Sequence, residues 1–183
     1  KNYVFHLAGI KGNPKKTKER PADYMEPMLQ FDVNMMRAAR EKNVERFLYT
    51  SSIAVLNPDT DKYPAWAKLT GEMLIGAYKI QYPNGTKYCV VRPSNVYGRY
   101  DNFDNPDAMV VTSLINKALK GSIEIYGDGK QTREFIHARD VASGMIKAME
   151  EMPNYPVNLC GREETSIRKL AEIISKYTGS PIK

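Results

Sequence analysis

The sequence predicts an α/β protein: a parallel sheet with helices on both faces. Three observations predict it. Short apolar runs alternate with longer segments whose apolar residues recur every three or four positions, the pattern of strand and helix in alternation. The apolar runs stop at small or turn-forming residues, as buried parallel strands do. The chain has 183 residues, 42% apolar and 26% charged, which is enough for one good core, or for one domain and part of another.

Tyr3-Val4-Phe5-His6-Leu7-Ala8-Gly9 is the first predicted strand. Lys11 to Arg20 is lysine-rich, contains Pro14, and is expected to be a loop. A helix follows through Met28, Phe31, Met35, Met36 and Ala39. Arg46 to Ser51 is the next strand, and residues 53–62 are expected to be a loop. Pro64 suits a first helical position and opens a helix to about Tyr82. Tyr88 to Pro93 is the third strand. After Gly98 the pattern loosens, and residues 99–108 hold little that packs. A helix is predicted over Val110 to Leu119 and a strand over Ile123 to Tyr126, with a turn at Gly127-Asp128-Gly129. Glu134 to His137 is a further strand, and Asp140 is read as the cap of a helix reaching Glu151. Val157 to Leu159 is the last strand, before a helix that starts after Thr165-Ser166.

Composition narrows the function classes. The net charge of +6 raises nucleic-acid binding, but basic residues are spread along the chain apart from Lys11 to Arg20, so no nucleic-acid partner is expected. An anionic small molecule explains the charge equally well. No stretch is long and apolar enough to span a membrane, and no membrane partner is expected. The two cysteines, Cys89 and Cys160, lack CxxC or metal-ligand spacing, so no metal is expected and both read as reduced thiols of a cytoplasmic protein.

The chemistry gathers at one place. Ser51-Ser52 closes the second strand, and Tyr63-Pro64-Ala65-Trp66-Ala67-Lys68 follows at the start of the next helix. A hydroxyl at a strand's C-terminal end and a Tyr/Lys pair on the following helix converge where a doubly wound sheet keeps its ligand. An ammonium beside a phenol draws its titration toward neutrality, so that it can exchange a proton with a sugar hydroxyl.

Six stations in order resemble the extended short-chain dehydrogenase/reductases, in their nucleotide-sugar epimerase/dehydratase branch. They are Phe5-His6-Leu7-Ala8-Gly9, Asp32-Val33-Asn34-Met35, Thr50-Ser51-Ser52, Ala67-Lys68-Leu69-Thr70-Gly71-Glu72, Arg92-Pro93-Ser94-Asn95-Val96-Tyr97-Gly98 and Tyr126 to Phe135. The resemblance implies a Rossmann-type sheet. With no GxGxxG or GxxGxxG present, it also implies that the N-terminal βαβ half is missing and that part of a small substrate-binding lobe is included. Residues 1–98 and 134–150 are expected to form the second half of the dinucleotide-binding domain, and residues 99–133 and 151–183 the partial lobe.

The same resemblance implies NAD or NADP as cofactor, held near Leu7, Ala8, Gly9, Lys68 and Pro93. It implies Ser52, Tyr63 and Lys68 as the catalytic set, and Asn34, Ser52, Asn95 and Arg133 as substrate contacts, with Asn34 behind the active site and Arg133 on the diphosphate. The reaction implied is epimerisation, or 4-keto reduction or oxidation, of a nucleotide-diphosphate sugar; a catalytically degenerate sugar-nucleotide-binding module is the alternative. Ile53 and Ala54 stand where 4,6-dehydratases carry an Asp-Glu pair, which argues against dehydration. The segments around Asn95 and Arg133 are most similar to GDP-fucose synthases, but Ala54 and Met109 fall at the Cys and His with which those enzymes epimerise. A homodimer of the complete protein is implied, through the helices holding Met28–Ala39 and Ala65–Tyr82.

The pattern departs from the family at one point. The family motif is Tyr-x-x-x-Lys, whereas Pro64 lies four residues before Lys68 and Tyr63 lies five before. The residue before a proline is pushed out of the helical region, so the Tyr63 ring is expected to swing back over Lys68 from an extended backbone. Bland readings stand beside these. Ser52 and Asn95 suit strand-end caps or turns, Lys68 a solvated helix face, and Arg133 a surface pair with Glu134 or Asp140. His6 and His137 read as structural, Met28, Met35 and Met36 as core, and Tyr97 and Tyr126 as packing.

Overall fold

The computed structural model describes residues 2–10, 14–60, 62–103 and 108–183, without the side chains of residues 14 and 15. Lys11 and Asp104 therefore lie outside the described residues. In chain order the elements are β1 (Tyr3–His6), α1 (Pro14–Glu19), α2 (Ala22–Glu41), β2 (Arg46–Thr50), α3 (Lys62–Gln81), β3 (Lys87–Pro93), β4 (Asn95–Tyr97), α4 (Val110–Leu119), β5 (Thr132–His137), α5 (Ala138–Glu151), β6 (Val157–Leu159), β7 (Glu164–Ser166) and α6 (Ile167–Thr178). Two compact units result, Lys1–Ser94 with Asp140–Leu159, and Asn95–Arg139 with Cys160–Lys183.

The first unit is built on a four-stranded sheet in the order β1-β2-β3-β6, every neighbouring pair parallel. Side chains alternate across a strand, so β2 and β3 feed both faces. Phe47, Tyr49, Tyr88 and Val90 meet Met36 and Ala39 of α2 and Ile75 of α3. Leu48, Cys89 and Val91 point the other way and are equally buried. Apolar runs buried on both faces are what a parallel sheet between helix layers requires. On that second side α5 is tied down by Arg46, whose Nη1 donates to the carbonyls of Met149 (2.9 Å) and Glu150 (3.0 Å). Burial pushes the Cys89 thiol up to about 11, so it is an inert core residue rather than a nucleophile.

The second unit carries a three-stranded sheet, β4-β5-β7, with β4 and β5 parallel and β5 and β7 antiparallel. Its core is Leu114 and Ala118 of α4, Ile123, and Ile167, Ala171 and Ile174 of α6. Ser166 begins α6 by accepting the Lys169 N–H (3.1 Å), and Gly179 ends it in the left-handed region at φ 74°.

Several expectations need correcting. Pro14–Glu19 is helical, not loop, with proline in the first position, where its missing N–H costs nothing. β1 stops at His6, and Leu7 to Ile10 run on exposed. Ile53–Leu56 forms a 3₁₀ turn inside the expected loop. Ile123 to Tyr126 is not a strand: Ile123 makes a single bridge to Ile182, and no longer partner runs beside it among the described residues. Asp140 lies within the first turn of α5, where it complements the dipole, rather than capping it. Met35 is exposed rather than part of the core. β6 hydrogen-bonds to β3, so residues 157–159 complete the sheet, and β4 pairs with β5 rather than with that sheet.

Candidate active site

The two serines after β2 part company. Ser51 stays in line with the sheet, its N–H on the Val91 carbonyl (2.8 Å), and its hydroxyl donates to Glu72 Oε1 of α3 at 2.5 Å. Ser52 begins the 3₁₀ turn, its Oγ accepting the Ala54 N–H at 3.2 Å. That cap uses a lone pair and leaves the Ser52 proton to donate elsewhere. Ser51 is thus committed to packing α3, whereas Ser52 keeps a hydroxyl donor at the carboxyl end of the strand.

Glu72 does more than hold Ser51. Its carboxylate takes both arms of the Arg92 guanidinium, Nε at 2.9 Å and Nη2 at 2.5 Å, a bidentate pair with both side chains largely buried. This bond raises the Arg92 pKa further, so the guanidinium cannot escape its pairing by losing a proton. One carboxylate on α3 therefore fixes the ends of both β2 and β3.

One turn earlier on α3, Lys68 is buried, against the usual fate of lysine. Its Nζ lies 3.5 Å from Asp32 Oδ2 of α2 and 4.9 Å from the centroid of the Tyr49 ring. At 3.5 Å the contact is an ion pair rather than a full hydrogen bond, and Nζ has no hydrogen-bond partner among the described residues. Burial lowers the Lys68 pKa, and the Asp32 charge offsets part of that. Asp32 is itself buried and takes two short bonds, from the Tyr49 hydroxyl to Oδ2 and from His6 Nε2 to Oδ1, each 2.6 Å. Since the carboxylate accepts, the His6 ring carries a proton on Nε2. Burial first, and then Asp32, hold the Tyr49 phenol well above its ordinary range, so it stays a donor and is unfit as a base. His6 is the packed, hydrogen-bonded histidine the sequence suggested.

Gly71 explains how α3 comes so close. A Cβ there would run into the Tyr49 phenol ring and its hydroxyl. Gly71→Ala is expected to cost about 1–3 kcal/mol, read by urea denaturation, by forcing Tyr49 off Asp32.

Two expected site residues sit differently. The buried stripe of α2 runs Tyr24, Met28, Asp32, Met36, which places Asn34 about 200° around the helix from Asp32 and on the exposed side. Asp32, not Asn34, is the polar side chain that α2 sends inward. Tyr63 is not extended but lies inside the first turn of α3, exposed, with Lys62 Nζ 5.8 Å from its ring centroid. Five helical residues leave about 140° between Tyr63 and Lys68, so they do not share a face.

Leu7, Ala8 and Gly9 continue exposed from the carboxyl end of β1, and a Cβ at Gly9 would meet nothing within 4 Å. Pro93 ends β3 in register with Leu159. In the second unit, the Asn95 amide donates to the Glu134 carbonyl (3.1 Å) and so ties β4 to β5. Arg133 is exposed and donates to the Thr132 carbonyl (2.7 Å); no ion pair with Glu134 or Asp140 forms. His137 Nδ1 accepts the Arg139 N–H (3.2 Å), and its ring meets Tyr97 edge-on. Tyr126 is exposed rather than packed, with Lys117 Nζ 4.4 Å from its ring centroid. Among the described residues no three His, Cys, Asp or Glu side chains are grouped to hold a metal, and no helix is long and apolar enough to cross a membrane.

Asp32, Tyr49, Glu72 and Arg92 escaped the sequence reading. The one legible signal was an acid at the i+4 position of an otherwise apolar stripe, between Met28 and Met36.

The chain is similar to known proteins in sequence and in fold. The chain is 31% identical over 196 residues to a dTDP-4-dehydro-6-deoxy-D-allose reductase of Streptomyces, covering 97% of this chain and 60% of that protein. It is 27% identical to GDP-L-fucose synthase of Escherichia coli, covering 96% and 64%. A solved UDP-N-acetylglucosamine 4-epimerase from Methanobrevibacter ruminantium superimposes with a TM-score of 0.85 at 28% identity, covering all of this chain and 64% of the other. The chain thus spans about three fifths of the length of the curated relatives it matches. Residues 2–160 match the family described as NAD dependent epimerase/dehydratase, and the chain belongs to that family.

Proposed function

We propose that the chain supplies the catalytic end of an NAD(P)-dependent enzyme that epimerises, or reduces or oxidises at C4, the sugar of a nucleotide diphosphate. The observation that carries this reading is the buried Lys68 amine, which has hydrogen-bond donors to spare at the end of the sheet. Relatives named as 4-keto reductases, fucose synthases and 4-epimerases support it.

The residues present fit a nicotinamide dinucleotide. Lys68 offers an orphaned ammonium to ribose hydroxyls, and the exposed Leu7-Ala8-Gly9 segment, with Pro93, offers apolar contact and open backbone. When bound, the nicotinamide supplies the redox chemistry. Ser52 donates its free proton to the sugar oxygen as negative charge grows there. Tyr63 gives or takes the hydroxyl proton, and Lys68 lowers the cost of its phenolate. Arg133 takes the diphosphate with an exposed guanidinium that no carboxylate among the described residues pairs with. Turnover of a panel of nucleotide sugars and 4-keto nucleotide sugars with NAD(P)(H) tests this; conversion of none of them overturns it.

The proposal extends to a homodimer formed by the outer faces of α2 and α3. Trp66, Met73 and Ile80 recur every seven residues on α3 and are exposed, as is Met35 of α2. Such a stripe suits helix-against-helix association. Met73→Lys is expected to shift the protein from dimer to monomer in analytical ultracentrifugation, and an unchanged dimer would place the interface elsewhere. In this reading the protein works in the cytoplasm, and the buried, reduced thiol of Cys89 supports that.

A further inference from the structure

We propose that Asp32 is a positioning residue that anchors the Lys68 ammonium, with His6 and Tyr49 holding its carboxylate in place. This rests on the reading of Lys68 as the functional amine.

Four elements build the anchor. β1 contributes His6, α2 contributes Asp32, β2 contributes Tyr49 and α3 contributes Lys68. A buried carboxylate is tolerated only when its oxygens are satisfied and its charge is opposed. Oδ1 has His6 at 2.6 Å, and Oδ2 has Tyr49 at 2.6 Å and Lys68 at 3.5 Å. The His6 and Tyr49 donors hold the carboxylate at close range. The ammonium, being farther away, feels its charge while keeping its own N–H groups unspent. An amine placed to grip a ligand needs that combination: it is held electrostatically, yet its donors are not consumed. A lysine in a full hydrogen-bonded salt bridge would have less to offer.

The charges facing Lys68 are few. Asp32 opposes it from α2; the Tyr49 and His6 rings approach from the sheet. Glu72 lies one turn on along α3, already bound bidentately to Arg92 of β3. Asp32 is therefore the carboxylate that sustains the ammonium against the burial that lowers its pKa.

Asp32→Asn keeps the shape and the Tyr49 bond and removes the charge. The Lys68 Cε signal, assigned by its loss in Lys68→Arg and followed by isotope-edited NMR, is expected to titrate at lower pH in Asp32→Asn than in the wild type. Tyr49→Phe loosens the same packing without removing the charge, and is expected to show no such fall. An unchanged midpoint in Asp32→Asn, or an equal fall in both variants, overturns the proposal. Should Asp32→Asn fail to fold, the wild type decides: the Asp32 carboxyl carbon must show an inflection at the Lys68 midpoint, since coupled groups titrate together, and its absence overturns the proposal. These readouts need no turnover. If Lys68→Met keeps full turnover, the catalytic reading of Lys68 fails while the anchor stands or falls on the NMR result.

Discussion

Tyr63→Phe is expected to lower kcat by about 10²- to 10⁴-fold, the contribution of a positioned proton donor, while leaving the fold intact. The fold is spared because Tyr63 is exposed and the change removes only its hydroxyl. Tyr49, the phenol whose ring lies against Lys68, cannot take over: it is buried, and its proton is committed to the Asp32 carboxylate. For Tyr63 to act, its ring must come round from the far side of the helix toward Lys68. Two features make that inexpensive. The first-turn N–H groups of a helix have no partner within it, and a residue before proline resists the helical region. The proton-transfer role therefore predicts that substrate draws the start of α3 out of helical geometry at Tyr63. Turnover that survives in Tyr63→Phe and is lost in Lys68→Met would retire the phenol and keep the amine.

Glu72→Leu is expected to destabilise the protein by about 3–5 kcal/mol, read as a lowered urea midpoint. The loss is large because the change strands Arg92, whose guanidinium cannot shed its charge, and leaves Ser51 without its acceptor. The double variant Glu72→Leu/Arg92→Met is expected to recover most of it, since an apolar pair of similar volume replaces a desolvated ion pair at little cost. A double variant as unstable as the single would show that Glu72 stabilises through something other than Arg92. Because Glu72 ties down β2 and β3 one turn from Lys68, the single variant is also expected to lose turnover through misplacement of Ser52.

The sheet was readable because its signal is redundant. Tyr88 to Val91 is apolar throughout, and such a run between two helical patterns admits one reading. The lobe was harder. β4 and β7 have three residues each, too short for alternation to show, and both exist because β5 lies between them to pair with. Ile123 to Tyr126 failed for the converse reason: its composition suits a strand, but only Ile123 finds a partner.

The placement of Ser52 at a strand end and of Lys68 near a helix start was legible in the sequence. Asn34 was not, because the motif around it fixed its neighbourhood and not its face; one helical offset of two residues puts Asp32 inside and Asn34 outside. Tyr63 was misjudged because the preference of a pre-proline residue is weaker than the pull of a helix that begins one residue earlier, at Lys62. The Asp32 cluster draws on four elements, and no local window of sequence contains it.

The most direct test is to compare wild type with Lys68→Met in side-by-side turnover of the nucleotide-sugar panel with NAD(P)(H), each checked for folding by circular dichroism. Conversion of at least one substrate by the wild type, and its loss in the equally folded variant, is the expected result. Equal conversion by both would contradict it.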